Sequence, residues 1–260
     1  MIKQIVGLAG LPRSGSTLLN AILSQNPAFH TEGTSPLLHI MYEMASIQFP
    51  EEQLRLARAI NKTDMVQQIV RQIPNIYYSN ATADIIIDKC RVWTHPENLN
   101  LMYRYFPNKP KVIVLERPVL DIVKSFMRLK QVDGSSMDIT LMEQDLNQVR
   151  PLYGIMRAVD CLKQAKINNK GEFLFLTYDE LVSDPETTLD DIYDFCGWQL
   201  YSHDFKCVIN KAFEDDGVHN LINLHAVRPN VEKMIYNDIS IPQSIVDRCE
   251  SIDYYLNNNL

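Results

Sequence analysis

Short apolar runs alternate along the chain with apolar positions at helical spacing, and the alternation predicts strands and helices in turn. Ile5 to Ala9 is a strand-like run, and Leu18, Leu19, Ile22 and Leu23 after it share one side of a helix. Leu37 to Ile47 resumes helical periodicity. Glu51 to Ile73 reads as two short amphipathic helices with Leu54, Leu56, Ile60, Val66, Ile69, Val70 and Ile73 on their apolar sides. Ile85-Ile86-Ile87, Val112 to Leu115 and Phe173 to Leu176 are three further buried-strand runs. Val119, Ile122, Val123, Phe126 and Leu129 make the i, i+3, i+4, i+7 stripe of a core-facing helix, and a long helical segment is predicted from about Thr140 to Ala165. Asp184-Pro185 supplies an N-cap and a proline in the first turn of a helix that stops at Gly197, and a terminal helix covers Ser244 to Leu256. Pro27 to Ser35 reads as a polar turn, Gln131 to Ile139 as a loop and candidate lid around Asp133-Gly134-Ser135-Ser136, and Asp215 to Pro229 as a polar loop. The predicted fold class is α/β, in one domain over 1–260.

The most informative junction is the first. Gly7 to Thr17 joins the first strand to the first helix, and Gly10, Ser14, Gly15 and Ser16 let backbone N–H groups turn inward where the helix dipole is positive. A phosphate or sulfate group is the predicted ligand. Gly10 and Gly15 keep the G-x-x-x-x-G spacing of a P-loop, yet Ser16 stands where that motif has lysine, and the cation comes earlier, at Arg13. A P-loop kinase or ATPase uses the missing lysine on its nucleotide together with Mg²⁺, so a different anionic donor is implied.

With Leu11-Pro12-Arg13-Ser14-Gly15-Ser16-Thr17 in view, the chain resembles the PAPS-dependent sulfotransferases, whose donor loop binds the 5′-phosphosulfate of 3′-phosphoadenosine 5′-phosphosulfate. Three later segments carry the same resemblance in the same order. Asp88-Lys89-Cys90-Arg91-Val92-Trp93 follows a strand, where open parallel sheets bind ligands, and is similar to a segment of bacterial and phage sulfotransferase-like proteins whose lysine faces the transferred group. From residue type alone either cation also reads as a surface ion-pair partner, and for Lys89 the position directly after the strand favours the crevice. Arg117 ends a strand and Ser125 follows it by eight residues, the spacing at which sulfotransferases bind the 3′-phosphate of PAPS; a guanidinium fork with a hydroxyl suits a terminal phosphate. Tyr178, Leu181 and Pro185, then Phe195-Cys196-Gly197-Trp198, form a shared block of structural character.

The resemblance implies a three-layer α/β fold of P-loop-like type, with a mostly parallel central sheet and helices on both faces. It also implies transfer of a sulfuryl group from PAPS to a hydroxyl or amine of a small-molecule, carbohydrate or peptide acceptor, with release of 3′,5′-ADP and no metal. It implies that Pro12, Arg13, Ser14, Gly15, Ser16 and Thr17 hold the phosphosulfate, that Lys89 neutralises charge at the bridging oxygen, and that Arg228, in a basic C-terminal loop, helps hold the nucleotide. An acidic residue after the first helix acts as base in relatives; Glu32 is the carboxylate available there, with His30 beside it. Two alternatives stay open from the residues: a P-loop kinase or NTPase with Asp88 at the Mg²⁺-binding strand end, and a catalytically silent nucleotide binder.

Composition narrows the setting. The 25 basic and 32 acidic side chains leave a net charge of −7, which disfavours non-specific binding to nucleic acid and anionic membranes, so a basic site must be a local pocket. Five scattered cysteines without metal-ligand spacing predict reduced thiols and a cytoplasmic protein. Met1-Ile2-Lys3 leads straight into the first strand, which argues against a cleaved leader, and no apolar run approaches the ~20 residues of a membrane span.

Overall fold

The computed structural model describes residues 2–106, 108–132, 134, 138–149, 154–219 and 222–258. Five strands, β1 (Gln4–Gly10), β2 (Phe29–Thr34), β3 (Ile85–Lys89), β4 (Val112–Glu116) and β5 (Phe173–Thr177), form an all-parallel sheet ordered β2-β3-β1-β4-β5. The helices around it are α1 (Ser16–Leu23), α2 (Leu37–Ala45), α3 (Glu51–Ala59), α4 (Met65–Tyr77), α5 (Pro96–Tyr105), α6 (Val119–Val132), α7 (Ile139–Leu146), α8 (Ile155–Asn168), α9 (Tyr178–Ser183), α10 (Pro185–Cys196) and α11 (Gln243–Asn257).

Helices α6, α7, α8 and α11 cover one face of the sheet through Ile122, Met142, Val159 and Ile252, while α1 and α10 cover the other through Leu19, Ile22, Leu189 and Ile192. Both faces are therefore dry, which explains why the strands read as continuous apolar runs. β1 lies between β3 and β4, and successive connections leave it in opposite directions. The crevice at its carboxyl end is the switch point at which such sheets bind ligands. Gly7 lets β1 pass beneath the buried Trp93, since a Cβ there would lie 2.7 Å from the indole.

Several elements differ from the sequence expectation. The predicted polar turn at Pro27 to Ser35 contains the edge strand β2, paired with β3 through Phe29, His30 and Thr31. Phe29 is its one apolar residue and packs 4.4 Å from the Trp198 ring, so the strand lacks the alternation that would have marked it. The helix predicted from Thr140 to Ala165 is two, α7 and α8, because Asn147 ends the first and Gly154 (φ 67°) starts the second. In the predicted lid, Asp133, Ser135 and Ser136 lie outside the described residues. The stop at Gly197 holds: φ is 72° there, and Asp184 accepts from Thr187 N at 3.2 Å with Pro185 next in the first turn. Residues 198–242 form a strap without strand or α-helix among those described, folded on itself by Val208 N to Pro229 O (2.8 Å) and Val231 N to Phe205 O (2.9 Å).

Candidate active site

The loop after β1 is held by main-chain bonds: Leu11 N donates to Leu115 O (3.2 Å) and Ser14 N to Leu11 O (3.1 Å). Arg13 (φ 59°) and Gly15 (φ 97°) adopt left-handed backbone, and at Gly15 a Cβ would stand 2.8 Å from the Tyr178 ring. Helix α1 then starts without a side-chain cap. Its first amides are left open, and the buried Ser14 hydroxyl has no partner. Unpaired donors at a positive helix end form an anion receptor.

Two arginines meet on the β4 side of this loop. Arg13 donates from Nε to Ser125 Oγ (3.1 Å) and from Nη1 to the carbonyl of Leu224; burial pulls its pKa below the ordinary value. Arg117, 6% exposed at the end of β4, donates from Nη1 to Arg13 O (3.0 Å) and stacks on the Tyr178 ring at 4.1 Å. Its Nε and Nη2 are buried and have no partner. An unpaired charged donor costs more than an ordinary unmade hydrogen bond, so this fork is built for an anion.

On the β3 side, Lys89 donates to Thr17 Oγ1 (3.0 Å) and pairs with Glu214 of the strap. Burial pulls the Lys89 ammonium below its usual range. Glu214 is itself almost enclosed. Burial raises its pKa, but the Lys89 charge and hydrogen bonds from Lys89 and Thr34 outweigh this and hold it low. It accepts from Thr34 Oγ1 (2.7 Å) and Thr34 N (3.2 Å), and its Oε2 lies 3.2 Å from His225 Nε2. His225 Nδ1 lies 2.6 Å from Asp216 Oδ1, which places the proton of a neutral ring on Nδ1. Burial lowers the His225 pKa, against the pull of Asp216 and Glu214. The strap sits this close because of Gly33, where a Cβ would meet Phe213 O at 2.5 Å and Glu214 Cγ at 2.6 Å.

A cavity of about 950 Å³ joins the two sides. Pro12, Arg13, Gly15, Ser16 and Thr17 line it at the loop, Arg117 and Ser125 beyond them, and Lys89 and Arg91 at the end of β3. Ser14 lies behind the loop, fully buried. Arg228 lines the rim, with an exposed side chain 3.2 Å from Glu232. Glu32 and His30 do not line this cavity; they bond to each other at 2.8 Å on β2, and the Glu32 side chain is 46% exposed.

The sequence matches the profile described as "Sulfotransferase family" over residues 6–202. The chain belongs to the sulfotransferase family. A search of curated proteins gives no match. Solved structures of similar fold include the sulfotransferase domain of the curacin biosynthetic pathway (TM-score 0.59, 16% identity, 100% of this chain and 99% of that one). The sulfotransferase domain of the Synechococcus PCC 7002 olefin synthase is another (0.51, 19%, 97% and 95%). Retinol dehydratase, solved in complex with retinol and PAP, is a third (0.52, 15%, 100% and 82%).

In this member of the sulfotransferase family, Asp88 is tied into the core rather than the crevice. Tyr78 Oη donates to its Oδ2 at 2.6 Å and Trp93 Nε1 to its Oδ1 at 2.8 Å, and burial raises its pKa. Sequence reasoning missed Glu214, Asp216 and His225, which lie beyond the matched span. Asp215-Asp216-Gly217 and His225 stood inside a segment legible only as a polar loop, and no spacing rule connects them to Lys89.

Proposed function

We propose that the chain transfers a sulfuryl group from PAPS to an acceptor hydroxyl or amine and releases 3′,5′-ADP. The observation that carries this reading is the Arg117 fork: two buried, unpartnered N–H groups stand beside a loop of open amides, giving two anion sites at one end of one cavity. A donor with a terminal phosphate and a phosphosulfate has that charge pattern, and 950 Å³ is at the upper end of ordinary ligand cavities. Bound there, PAPS would supply the activated sulfuryl group.

The chain's own part is positioning and charge. The amides of the 12–17 loop and Arg13 hold the phosphosulfate, Arg117 and Ser125 hold the 3′-phosphate, and Arg228 supports the nucleotide from the rim. Lys89 faces the oxygen on which negative charge grows as the S–O bond breaks. We assign the acceptor's proton to His225 Nε2 rather than to Glu32 or His30, because His225 lines the cavity and burial keeps it neutral. The imidazolium that results lies between Asp216 and Glu214. Asp88 lacks the freedom that a Mg²⁺-nucleotide reading asks of it.

The acceptor is a small molecule, a sugar or a peptide side chain. The five cysteines are free, which fits a cytoplasmic setting, and among the described residues no helix is long and apolar enough to cross a membrane. The test is incubation of the purified chain with sulfur-labelled PAPS and an acceptor panel in EDTA. Label should pass to an acceptor with equimolar 3′,5′-ADP; binding of ATP·Mg²⁺ in preference to 3′,5′-ADP, or turnover that needs added Mg²⁺, would contradict the proposal.

A further inference from the structure

Four ionisable groups of the strap and β3 stand in one row. His225 Nδ1 lies 2.6 Å from Asp216 Oδ1, and its Nε2 lies 3.2 Å from Glu214 Oε2. The other oxygen of Glu214, Oε1, pairs with Lys89, whose ammonium also donates to Thr17 Oγ1 (3.0 Å) in the donor loop. Thr34 fixes the carboxylate between its two partners by donating to Oε2 from its hydroxyl (2.7 Å) and its amide (3.2 Å). Lys89 and His225 line the cavity; Glu214 does not, and its side chain is 5% exposed. Glu214 therefore reaches a substrate only through those two neighbours.

The charges of this row do not balance while the imidazole is neutral. Asp216 and Glu214 are then two anions facing one cation, Lys89, and burial makes an unbalanced charge expensive. A proton on His225 brings the row to two against two. Arg91 is the other cation felt at Lys89 and opposes its charge, as Lys89 in turn opposes charge on His225. Glu214 works against both effects, favouring the charged form of Lys89 and of His225 alike. One carboxylate thus serves two cations, and the second exists only once the ring is protonated.

Resting on the sulfuryl-transfer reading, we propose that Glu214 is a positioning residue that couples the two ends of the reaction: its carboxylate holds Lys89 until a proton reaches His225, then shares its charge with the imidazolium and leaves Lys89 to the departing oxygen. The acceptor's O–H or N–H bond breaks and its proton passes to His225 Nε2, while an electron pair of the nucleophile forms the new bond to sulfur. The bond from sulfur to the bridging oxygen breaks, and its pair stays on the 5′-phosphate of 3′,5′-ADP beside Lys89. Negative charge grows at Lys89 in the step in which positive charge arrives at His225, and the carboxylate between them answers both. Without it the buried ring holds a proton less readily, and so does the buried ammonium.

The experiment follows the His225 ring by NMR as pH is varied, in the complex with 3′,5′-ADP, for wild type, Glu214→Gln and Lys89→Met; loss of the signal in His225→Gln identifies it. In Glu214→Gln the ring should titrate about 1–3 pH units lower than in wild type, or stay neutral down to acid unfolding. In Lys89→Met it should titrate higher than in wild type, because the whole carboxylate then faces it. In single-turnover transfer from labelled PAPS, Glu214→Gln should lower kcat by about 10² and displace the acid and alkaline limbs of the profile together to lower pH, since His225 and Lys89 each lose a counter-charge. A residue that only keeps the strap in shape would lower kcat and leave the ring titration and both limbs in place, and that result overturns the proposal. So does a ring that titrates lower or unchanged in Lys89→Met, the arm that decides alone should Glu214→Gln fail to fold. Absence of labelled transfer by the unmodified chain would instead sink the sulfuryl-transfer reading, while the ring titrations, run on the free chain, still decide whether Glu214 links His225 to Lys89.

Discussion

The two sides of the cavity are built by different means. At the loop side, Arg13, Gly15 and Arg117 are placed by regular elements and main-chain bonds, within the span that matches the family. At the strap side, Glu214 and His225 arrive from chain without strand or α-helix, held by a charge pair to Lys89 and by a close approach to Gly33. The difference teaches a division of labour. On the proposed reading, backbone geometry serves nucleotide binding and long-range charge pairing serves the transfer step. Changes on the loop side should therefore move nucleotide affinity, and changes on the strap side should move kcat.

The largest separation is expected at His225. His225→Gln should lower kcat by about 10²–10⁴ and leave 3′,5′-ADP affinity in place. Burial holds the folded pKa of His225 below its ordinary 6.5, so the wild-type acid limb should fall below that value and vanish in the variant. The stability sign follows from the same shift. The contribution of His225 is complete above the unfolded pKa and is lost as pH falls through the folded one, because the unfolded chain takes up the proton first. The stability difference between wild type and variant should change with pH only in that window.

Lys89→Ala comes next, with kcat lower by roughly 10²–10³ in single-turnover transfer. A raised KM at unchanged kcat would give Lys89 a binding role and blur the division. Gly33→Ala adds one methyl group yet pushes Glu214 off Thr34 and Lys89, and kcat should drop by about 10² for a displacement near 1 Å. Equal losses of affinity and kcat in this variant would show that the strap holds the donor as well.

What the sequence disclosed follows the same line. The loop, Lys89, and the Arg117 and Ser125 pair were legible because each sits where a buried apolar run meets a helix, and burial on both faces makes such runs conspicuous. Edge strand β2 was hidden because its polar residues face a rim rather than a core. Glu214 was hidden because its partners Lys89 and Thr34 stand 125 and 180 residues away, and His225 because it joins the site only through Glu214 and Asp216 inside a polar loop; neither arrangement leaves a periodicity. Glu32 was the reasonable carboxylate from sequence, being nearest in the chain to the first helix; folding turns it to His30 on the exposed side of β2.

The smallest effect is expected at the rim. Arg228→Ala removes an exposed cation whose pair with Glu232 is worth about 0–1 kcal/mol, and 3′,5′-ADP affinity should change by a few fold at most. A larger loss in calorimetry would move Arg228 from support to a principal contact.

The most direct measurement is calorimetric binding of 3′,5′-ADP and 5′-AMP to wild type and to Arg117→Ala. The free Nε and Nη2 of Arg117 are assigned to the 3′-phosphate, so truncation should cost 3′,5′-ADP about 2–5 kcal/mol and leave 5′-AMP nearly unchanged. Equal losses for both nucleotides, or no loss for either, would contradict the assignment on which the account of this cavity rests.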